Sequence, residues 1–223
     1  MKKLGIYIHI PFCLSKCLYC GFYSGEGSSL AEREGYIEEL LADISAYGRE
    51  YGGDYSVDTV FIGGGTPSIL EAGQIERVLS AVRGVFSVEA DAEITLESNP
   101  KTLTKDKLSA FRSFGINRLS IGAQSLDDRI LKTLGRAHTA ADFEETFYLA
   151  RECGFENINT DLMFAVPGHT MEIWEETLHR ITELSPEHIS FYSLQIEEGT
   201  PYYRMFEEGR LDQISDERLV YPK

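Results

Sequence analysis

Six short segments of the chain have the hydrophobic pattern of β-strands. In the first, 4–10, leucine and isoleucine occupy every second position, which is the period of a strand with one buried face. Five further strands are predicted at 57–62, 93–97, 119–122, 157–164 and 188–193. The first strand is followed by a proline, a cysteine-containing loop and a Gly/Ser-rich stretch at 24–29. This loop is therefore expected to leave the sheet.

Helical periodicity lies between the predicted strands. In segment 30–47, Ile37, Leu40, Leu41 and Ile44 share one face of a helix. Four further helices are predicted at 72–82, 105–114, 140–153 and 172–184. Strands that alternate with helices through short connections form parallel sheets. A closed eight-stranded barrel needs about 250 residues, so the pattern predicts an α/β fold with an open, partial (β/α)6 barrel over residues 1–200.

Polar and glycine-rich residues follow several of these strands. A glycine triplet occupies 63–65, Ser-Asn-Pro occupies 98–100, and Pro-Gly occupies 167–168. The carboxyl ends of parallel strands meet at one edge of a barrel, where active sites lie. A shared site at this edge is predicted, although any one of these clusters alone would also fit an ordinary turn.

The composition is that of a folded, acidic protein. The 223 residues include 36 acidic and 21 basic side chains, giving a net charge of -15. Such a surface repels nucleic acid and anionic lipid, so small-molecule ligands are the better expectation. The chain has neither a signal-peptide pattern nor an apolar run of the roughly 20 residues that a membrane span needs. The predicted compartment is the cytoplasm.

Three of the four cysteines fall within one short loop, in the pattern Cys13-x3-Cys17-x2-Cys20. Three thiolates can hold three irons of a [4Fe–4S] cluster and leave the fourth iron open to a small molecule. A structural zinc site with His9 as the fourth ligand is the alternative. His9 lies on a strand, and zinc sites favour two paired-cysteine knuckles, so the cluster is the better interpretation. The remaining cysteine, Cys153, is expected to pack as a small hydrophobic residue.

A set of motifs along the chain resembles one known family. The motifs are YIHIPFC at 7–13, KCLYC at 16–20, FIGGGTPS at 61–68, ESNP at 97–100, RLSIGAQS at 118–125, LGRAH at 134–138, NTDLM at 159–163 and SFYSL at 190–194. They resemble the radical S-adenosylmethionine (SAM) superfamily and, within it, the oxygen-independent coproporphyrinogen III dehydrogenases and their haem-chaperone paralogues. The resemblance covers nearly the whole chain in order.

The resemblance implies a cofactor chemistry. The open iron of the cluster would chelate SAM, and an electron from a reducing donor protein would cleave the sulfonium bond to give methionine and a 5′-deoxyadenosyl radical. By the same resemblance, one SAM molecule would contact Tyr7, Gly64, Thr66 and Glu97. In the dehydrogenases a second SAM molecule contacts the positions that correspond to Tyr19, Gly65, Gln124, Arg136 and Asp161.

Alternatives to these ligand roles remain open from the residues alone. Glu97 would also fit a solvated acid at a strand end. Arg136 and Asp161 would also fit an internal ion pair at the barrel mouth, with Gln124 beside them. His138 is expected to be a solvated loop residue. The number of SAM molecules, one or two, is left open.

Two departures from the family pattern direct the functional prediction. Proven dehydrogenases carry a further cysteine two positions after the third cluster cysteine, where this chain has Phe22, whereas the haem chaperones have an aromatic residue there. Phe22 would also fit a side chain packed under the loop. The second departure is length: the chain is expected to be truncated, with 201–223 as the start of a carboxyl-terminal domain that covers the barrel mouth in the family.

The prediction is a haem chaperone that binds and delivers haem. Oxidative decarboxylation of coproporphyrinogen III and a zinc-stapled, non-catalytic module are the alternatives. The predicted partners are SAM, haem or porphyrinogen, and an electron donor, with membrane contact only through a haem-accepting partner.

Overall fold

A computed structural model describes residues 2–26 and 28–211. Its main feature is a curled sheet of six parallel strands in the spatial order β1-β4-β5-β6-β7-β8. In chain order the strands are β1 (Lys2–Ile10), β2 (Phe12–Cys13), β3 (Gly25–Glu26), β4 (Tyr55–Gly64), β5 (Ser87–Ser98), β6 (Arg118–Gln124), β7 (Ile158–Phe164) and β8 (His188–Ser193). The two-residue strands β2 and β3 pair with each other beside the main sheet. The predicted partial barrel is confirmed.

Helices connect the strands and cover one face of the sheet. They are α1 (Leu30–Tyr51), α2 (Ala72–Val85), α3 (Lys105–Ser113), α4 (Asp128–Thr133), α5 (Ala140–Glu152), α6 (Met171–Leu184) and α7 (Pro201–Glu207). Side-chain caps begin most of them; at α1, for example, Ser29 and Glu32 form a capping box that satisfies two free backbone N–H groups. No described helix is both long and apolar enough to cross a membrane.

The two faces of the sheet differ in chemistry because side chains alternate along a strand. On one face, Ile62, Leu96, Ile121 and Leu162 are fully buried in the core formed with the helices. On the other face, β6 places Ser120 among polar side chains of its neighbours. The half-barrel therefore has an apolar outer layer and a polar inner wall.

Several element boundaries differ from the prediction. β5 begins at Ser87 rather than at residue 93. Ser87 and Val88 pair with β4 ahead of a register shift, although the sequence around them is largely polar. The six-residue helix α4 is not among the predicted helices. Its signals are local: the Asp127 carboxylate accepts the backbone N–H groups of Arg129 and Ile130. Cys153, at the end of α5, packs against the main core as expected.

The segment after residue 200 is attached to the half-barrel. Tyr202 of α7 is buried, its backbone N–H donates to the Leu18 carbonyl at 3.0 Å, and its hydroxyl donates to the Thr133 carbonyl. Of the predicted start of a second domain, 201–223, the part 212–223 lies outside the described residues. The boundary at residue 200 stays a prediction.

Candidate functional site

The cysteine loop leaves the carboxyl end of β1, and its first part is bonded to the end of β4. The Gly65 N–H donates to the Ile10 carbonyl at 2.8 Å, and the Thr66 N–H donates to the Phe12 carbonyl at 2.7 Å. The Thr66 hydroxyl donates to the Cys13 sulfur at 3.6 Å. The glycine triplet and Thr66 therefore fix the position of the first predicted cluster ligand.

Gly65 is required by this contact. A Cβ atom at Gly65 would lie 2.6 Å from the Phe12 carbonyl oxygen and 3.0 Å from two further backbone atoms of the same residue. Backbone atoms cannot rotate away as a side chain can, so a larger residue would displace the loop. The partner that the structure shows for Gly65 is therefore the cysteine loop.

The middle of the cysteine loop is held by a second segment, 134–136, which follows α4. The Leu18 N–H donates to the Leu134 carbonyl at 3.2 Å. Gly135 has a φ of 72° and approaches Leu18 closely enough that a Cβ atom would lie 2.8 Å from its Cγ. Arg136 Nη1 donates to the Cys17 sulfur at 3.5 Å. The second predicted cluster ligand is therefore held from the opposite side of the barrel mouth.

The three loop cysteines are free and half-buried. Burial raises the pKa of the Cys20 thiol, the two other thiols raise it further, and the backbone N–H of Phe22 opposes both effects. Tyr19 lies against these thiols, and its phenol pKa is also raised, mainly by burial. The sequence thus folds so that three sulfur donors and one aromatic side chain share the same loop.

The zinc alternative does not fit this arrangement. His9 Nε2 donates to the Tyr23 carbonyl at 3.0 Å, and its Nδ1 accepts from the Tyr7 hydroxyl at 3.0 Å, so both ring nitrogens are engaged. Among residues 2–26 and 28–211, no three His, Cys, Asp or Glu side chains meet closely enough to hold one metal ion. Ligands of a single zinc ion must all lie about 2 Å from it.

An iron–sulfur cluster does fit the donor set. Each cysteine of such a cluster binds its own iron, so the three sulfurs need not converge on one point. The loop supplies three thiols and Arg136 supplies a nearby cation whose buried Nε has no hydrogen-bond partner. A buried N–H without an acceptor is costly in a folded protein. A negatively charged cluster beside Arg136 would supply the missing charge.

Glu97 lies at the end of β5, next to the glycine triplet. Its Oε2 accepts the Gly64 N–H at 2.9 Å. Burial raises the pKa of the Glu97 carboxyl to about 7, the Gly64 N–H opposes this shift, and the charge of Asp161 adds to it. The solvated-acid alternative is therefore wrong. A carboxyl at this position can accept hydrogen bonds from the ammonium and hydroxyl groups of a ligand.

Tyr7 lies on the inner wall near the same edge. It is 59% exposed, and its ring stacks on Phe61 with 6.1 Å between the centroids. Burial of part of the ring and the charge of Glu97 raise the pKa of its hydroxyl. Tyr7 thus presents an aromatic face and a neutral hydroxyl at the mouth of the half-barrel.

Gln124, Arg136 and Asp161 gather on the other half of the mouth, but they do not form the expected ion pair. Arg136 Nη2 donates to the Gly122 carbonyl at 2.8 Å. Asp161 accepts instead from the Ser120 hydroxyl at 3.0 Å and also from an amide side chain of β7. Gln124 is buried and has a φ of 64°, which turns the end of β6 inward. The ion-pair alternative is wrong.

Two further residues lie elsewhere than the sequence suggested, and a third was not predicted at all. His138 is 3% exposed, and its Nε2 donates to the Ala123 carbonyl at 3.1 Å, so it is not a surface residue. Phe22 is 71% exposed and does not pack under the loop. Asn159 was not singled out from the sequence. Its side-chain amide donates to the Ser120 hydroxyl at 2.7 Å and to Asp161 at 2.8 Å, and its place at the start of the NTDLM motif was the only sequence signal for this role.

Comparison with known proteins agrees with this geometry. Two curated relatives are the heme chaperone HemW of Escherichia coli strain K12, 40% identical over 205 residues, and HemW of Bacillus subtilis strain 168, 38% identical over 209 residues. The alignments cover 90% and 92% of this chain but 53% and 54% of the relatives. The chain therefore spans about half the length of the curated relatives it matches.

A solved structure shows the same fold. The coproporphyrinogen III oxidase HemN of Escherichia coli, described as a radical SAM enzyme, superposes with a TM-score of 0.89 at 30% identity. The match covers 98% of this chain and 50% of HemN. The family model of the radical SAM superfamily matches residues 7–181, from Tyr7 on β1 to the end of α6. This span is well over half of the sequence, and the chain belongs to the radical SAM superfamily.

Proposed function

We propose that this chain is the radical SAM core of a heme chaperone, which holds a [4Fe–4S] cluster and SAM and binds and delivers haem. The observation that carries the cofactor part is the cysteine loop itself. Three free thiols lie in a loop that two separate segments hold, one after β4 and one after α4, and Thr66 and Arg136 each donate a hydrogen bond to one sulfur.

Each side chain at the mouth has a definite part in this proposal. Cys13, Cys17 and Cys20 would ligate the cluster, which when bound supplies the electron for reductive cleavage of SAM. Glu97 would accept hydrogen bonds from the ammonium or hydroxyl groups of SAM, and its burial strengthens such bonds. Tyr7 would offer its exposed ring and hydroxyl to the same ligand.

The second set of predicted contacts lies within the same mouth. Tyr19, Gln124, Arg136 and Asp161 would line its other half, from the cysteine loop to β7, and Gly65 would reach the ligand from the end of β4. Gly64 and Thr66 stay with the first set through their bonds to Glu97 and Cys13. We propose these nine residues as the cofactor-binding wall, for one or two SAM molecules.

The haem part of the proposal rests on the relatives and on Phe22. Several relatives that are 34–40% identical carry the name heme chaperone HemW. Phe22 leaves no thiol at the position where dehydrogenases have one, and its ring faces solvent. We also propose the cytoplasm as the compartment, because reduced thiols persist there. An electron-donor protein and a haem acceptor would be the partners.

Porphyrinogen decarboxylation is the second candidate, because the fold superposes so closely on HemN. The two candidates share the cluster and SAM and differ in the fate of the porphyrin ligand. A dehydrogenase would remove carbon dioxide from propionate side chains, whereas a chaperone would bind haem and leave porphyrinogen unchanged. One set of samples can therefore separate them.

The test uses the 223-residue chain reconstituted with iron and sulfide under nitrogen. A variant with Cys13, Cys17 and Cys20 all changed to alanine removes the site, and Cys153→Ala is the matched control. We expect about four irons per chain and a brown colour in the wild type and in Cys153→Ala, and neither in the triple variant. With SAM and dithionite, 5′-deoxyadenosine should form without decarboxylated porphyrin, and a haem titration should saturate.

Two results would contradict the proposal. Decarboxylated porphyrin in the sample with coproporphyrinogen III would assign the dehydrogenase activity and remove the argument from Phe22. A wild-type chain that takes up no more iron than the triple variant would exclude the cluster altogether.

A further inference from the structure

Arg136 is a cation that has no anionic partner among the residues that the structure describes. Its Nη1 donates to the Cys17 sulfur at 3.5 Å and its Nη2 donates to the Gly122 carbonyl at 2.8 Å. Its Nε is buried and has no partner. Within the described ranges, no carboxylate forms an ion pair with it. Asp161, its partner in the ion-pair alternative, is bonded to neutral side chains instead.

A buried guanidinium without a counter-charge is expensive, because desolvation is not repaid by Coulomb attraction. The groups that face Arg136 are the Cys17 side chain, whose sulfur accepts its hydrogen bond, and the Tyr19 side chain beside it. Three cysteines in one loop bring three negative charges once they ligate metal. The thiolate loop with metal bound would therefore place negative charge directly beside Arg136, whether or not SAM is present.

We propose that Arg136 raises the reduction potential of the cluster held by Cys13, Cys17 and Cys20. The inference rests on the proposed cluster and adds a role that ligand contacts alone do not give. Hydrogen bonds to ligand sulfurs and nearby charge set the potentials of iron–sulfur clusters. An added electron makes the loop more negative, so a fixed cation stabilises the reduced form more than the oxidised form.

The fold fixes Arg136 for this task. Gly135, with φ of 72°, lies against Leu18, and the Leu134 carbonyl accepts the Leu18 N–H, so Arg136 follows a backbone segment already docked on the cysteine loop. The Gly122 carbonyl at the end of β6 holds the other side of the guanidinium. The cation cannot retreat from Cys17 without breaking these contacts.

Lys16 provides a matched control. It lies next to Cys17 in the sequence and has the same charge as Arg136, but it is exposed and its Nζ donates to the Phe22 carbonyl at 3.2 Å rather than to a sulfur. Solvent screens an exposed charge far more than a buried one. Removal of the Lys16 charge should therefore affect the cluster much less.

The test is a redox titration of the reconstituted 223-residue chain with dithionite, without SAM, followed by the electron paramagnetic resonance signal of the reduced cluster. In Arg136→Gln we expect reduction to become about tenfold less favourable, which is a shift of 59 mV to more negative potential for one electron. Arg136→Lys, which keeps the charge, should lie between this variant and the wild type. Lys16→Gln should change the equilibrium by less than about threefold.

Each remaining outcome decides the inference. An unchanged potential in Arg136→Gln at wild-type iron content overturns it and leaves the proposed function intact. Equal shifts of the reduction potential in Arg136→Gln and Lys16→Gln also overturn it, since the shift would then reflect the net charge of the chain rather than the position of Arg136. If both Arg136 variants lose cooperative unfolding before metal is added, Arg136 is structural and the inference fails. A wild type without cluster would overturn the proposed function as well.

Discussion

Two of the contacts that hold the cysteine loop on the half-barrel differ in their chemistry. Near Cys13 the contact is backbone to backbone, through Gly65 and Thr66. Near Cys17 it includes a charged side chain, Arg136. The first contact depends on the absence of a side chain at Gly65, where an added Cβ atom would overlap the Phe12 backbone. The second depends on one particular side chain. Position and electrostatics of the loop are thus controlled from opposite sides of the mouth.

The largest expected effect tests the backbone contact. In Gly65→Ala the new Cβ would overlap the Phe12 backbone, so the loop must move, and we expect a loss of about 2–3 kcal/mol in unfolding free energy together with most of the bound iron. Urea unfolding and iron analysis measure both. Gly73→Ala, where no atom lies within 4 Å of the new Cβ, should change stability by less than about 0.5 kcal/mol. Equal effects of the two variants would disprove the contact.

The corresponding change on the other side is Gly135→Ala. Here φ is 72°, and the crowding atom belongs to the flexible Leu18 side chain, so the expected loss is about 1–2 kcal/mol. Gly154→Ala has a similar φ of 85° but open space around the Cβ, and it measures the backbone strain alone. If Gly135→Ala loses no more unfolding free energy than Gly154→Ala, then Leu18 moves aside freely. The contact near Cys17 would then be less tightly packed than the contact near Cys13.

The raised pKa of Glu97, which lies on the same side of the mouth as Gly65, predicts that the unfolding free energy depends on pH. Its folded pKa of about 7 exceeds the ordinary 4.5, so the folded chain keeps a proton that the unfolded chain releases between these values. This contribution to stability is present below the ordinary pKa and is lost as pH rises through 7. Glu97→Gln, which still accepts from Gly64, should remove the dependence.

The measurement is urea unfolding at about pH 5 and about pH 8. At the higher pH Glu97→Gln should be more stable than the wild type by about 1 kcal/mol, less than the full shift implies because the side chain is partly exposed. The two proteins should agree at the lower pH. The raised pKa of Glu97 would be refuted if the stability of the wild type, relative to that of Glu97→Gln, did not fall between the lower and the higher pH.

The smallest expected effect concerns the Thr66 hydroxyl. Thr66→Val keeps the shape of the side chain and removes one hydrogen bond to the Cys13 sulfur, so it should cost less than about 1 kcal/mol. Its effect on the reduction potential of the cluster should be smaller than that of Arg136→Gln, because Thr66→Val removes a neutral hydrogen-bond donor whereas Arg136→Gln removes a positive charge. Thr66→Ser should behave as the wild type. A larger effect at Thr66 than at Arg136 would reverse the assignment of roles.

The architecture follows from local patterns, which is why the sequence could predict it. The alternation of leucine and isoleucine on β1, and the amphipathic face of α1, are properties of neighbouring residues. The early part of β5 escaped prediction because Ser87 to Asp91 carry few apolar side chains and pair only after a register shift. Helix α4 escaped because six residues contain less than two turns of periodicity.

The site shows the same division. The cysteines and the glycine triplet are visible in the sequence because their spacing is the signal. The hydrogen bond from Arg136 to Cys17 joins residues 119 positions apart, and no local pattern announces it. The burial of His138 was missed for a related reason: its partner Ala123 lies on β6, 15 positions away in the sequence. The bond between Asp161 and Ser120 forms only when β6 and β7 pair.

The open arc of the sheet has a consequence for handling the protein. A closed barrel has no edges, whereas here β1 and β8 are terminal strands of the described sheet. Exposed edges template pairing with other chains. β8 carries two half-exposed aromatic side chains, Phe191 and Tyr192, whereas β1 carries one, Tyr7, and begins with the exposed Lys2 and Lys3. Lysines on an edge strand disfavour pairing, so self-association of this chain is expected to use β8 and to increase with protein concentration.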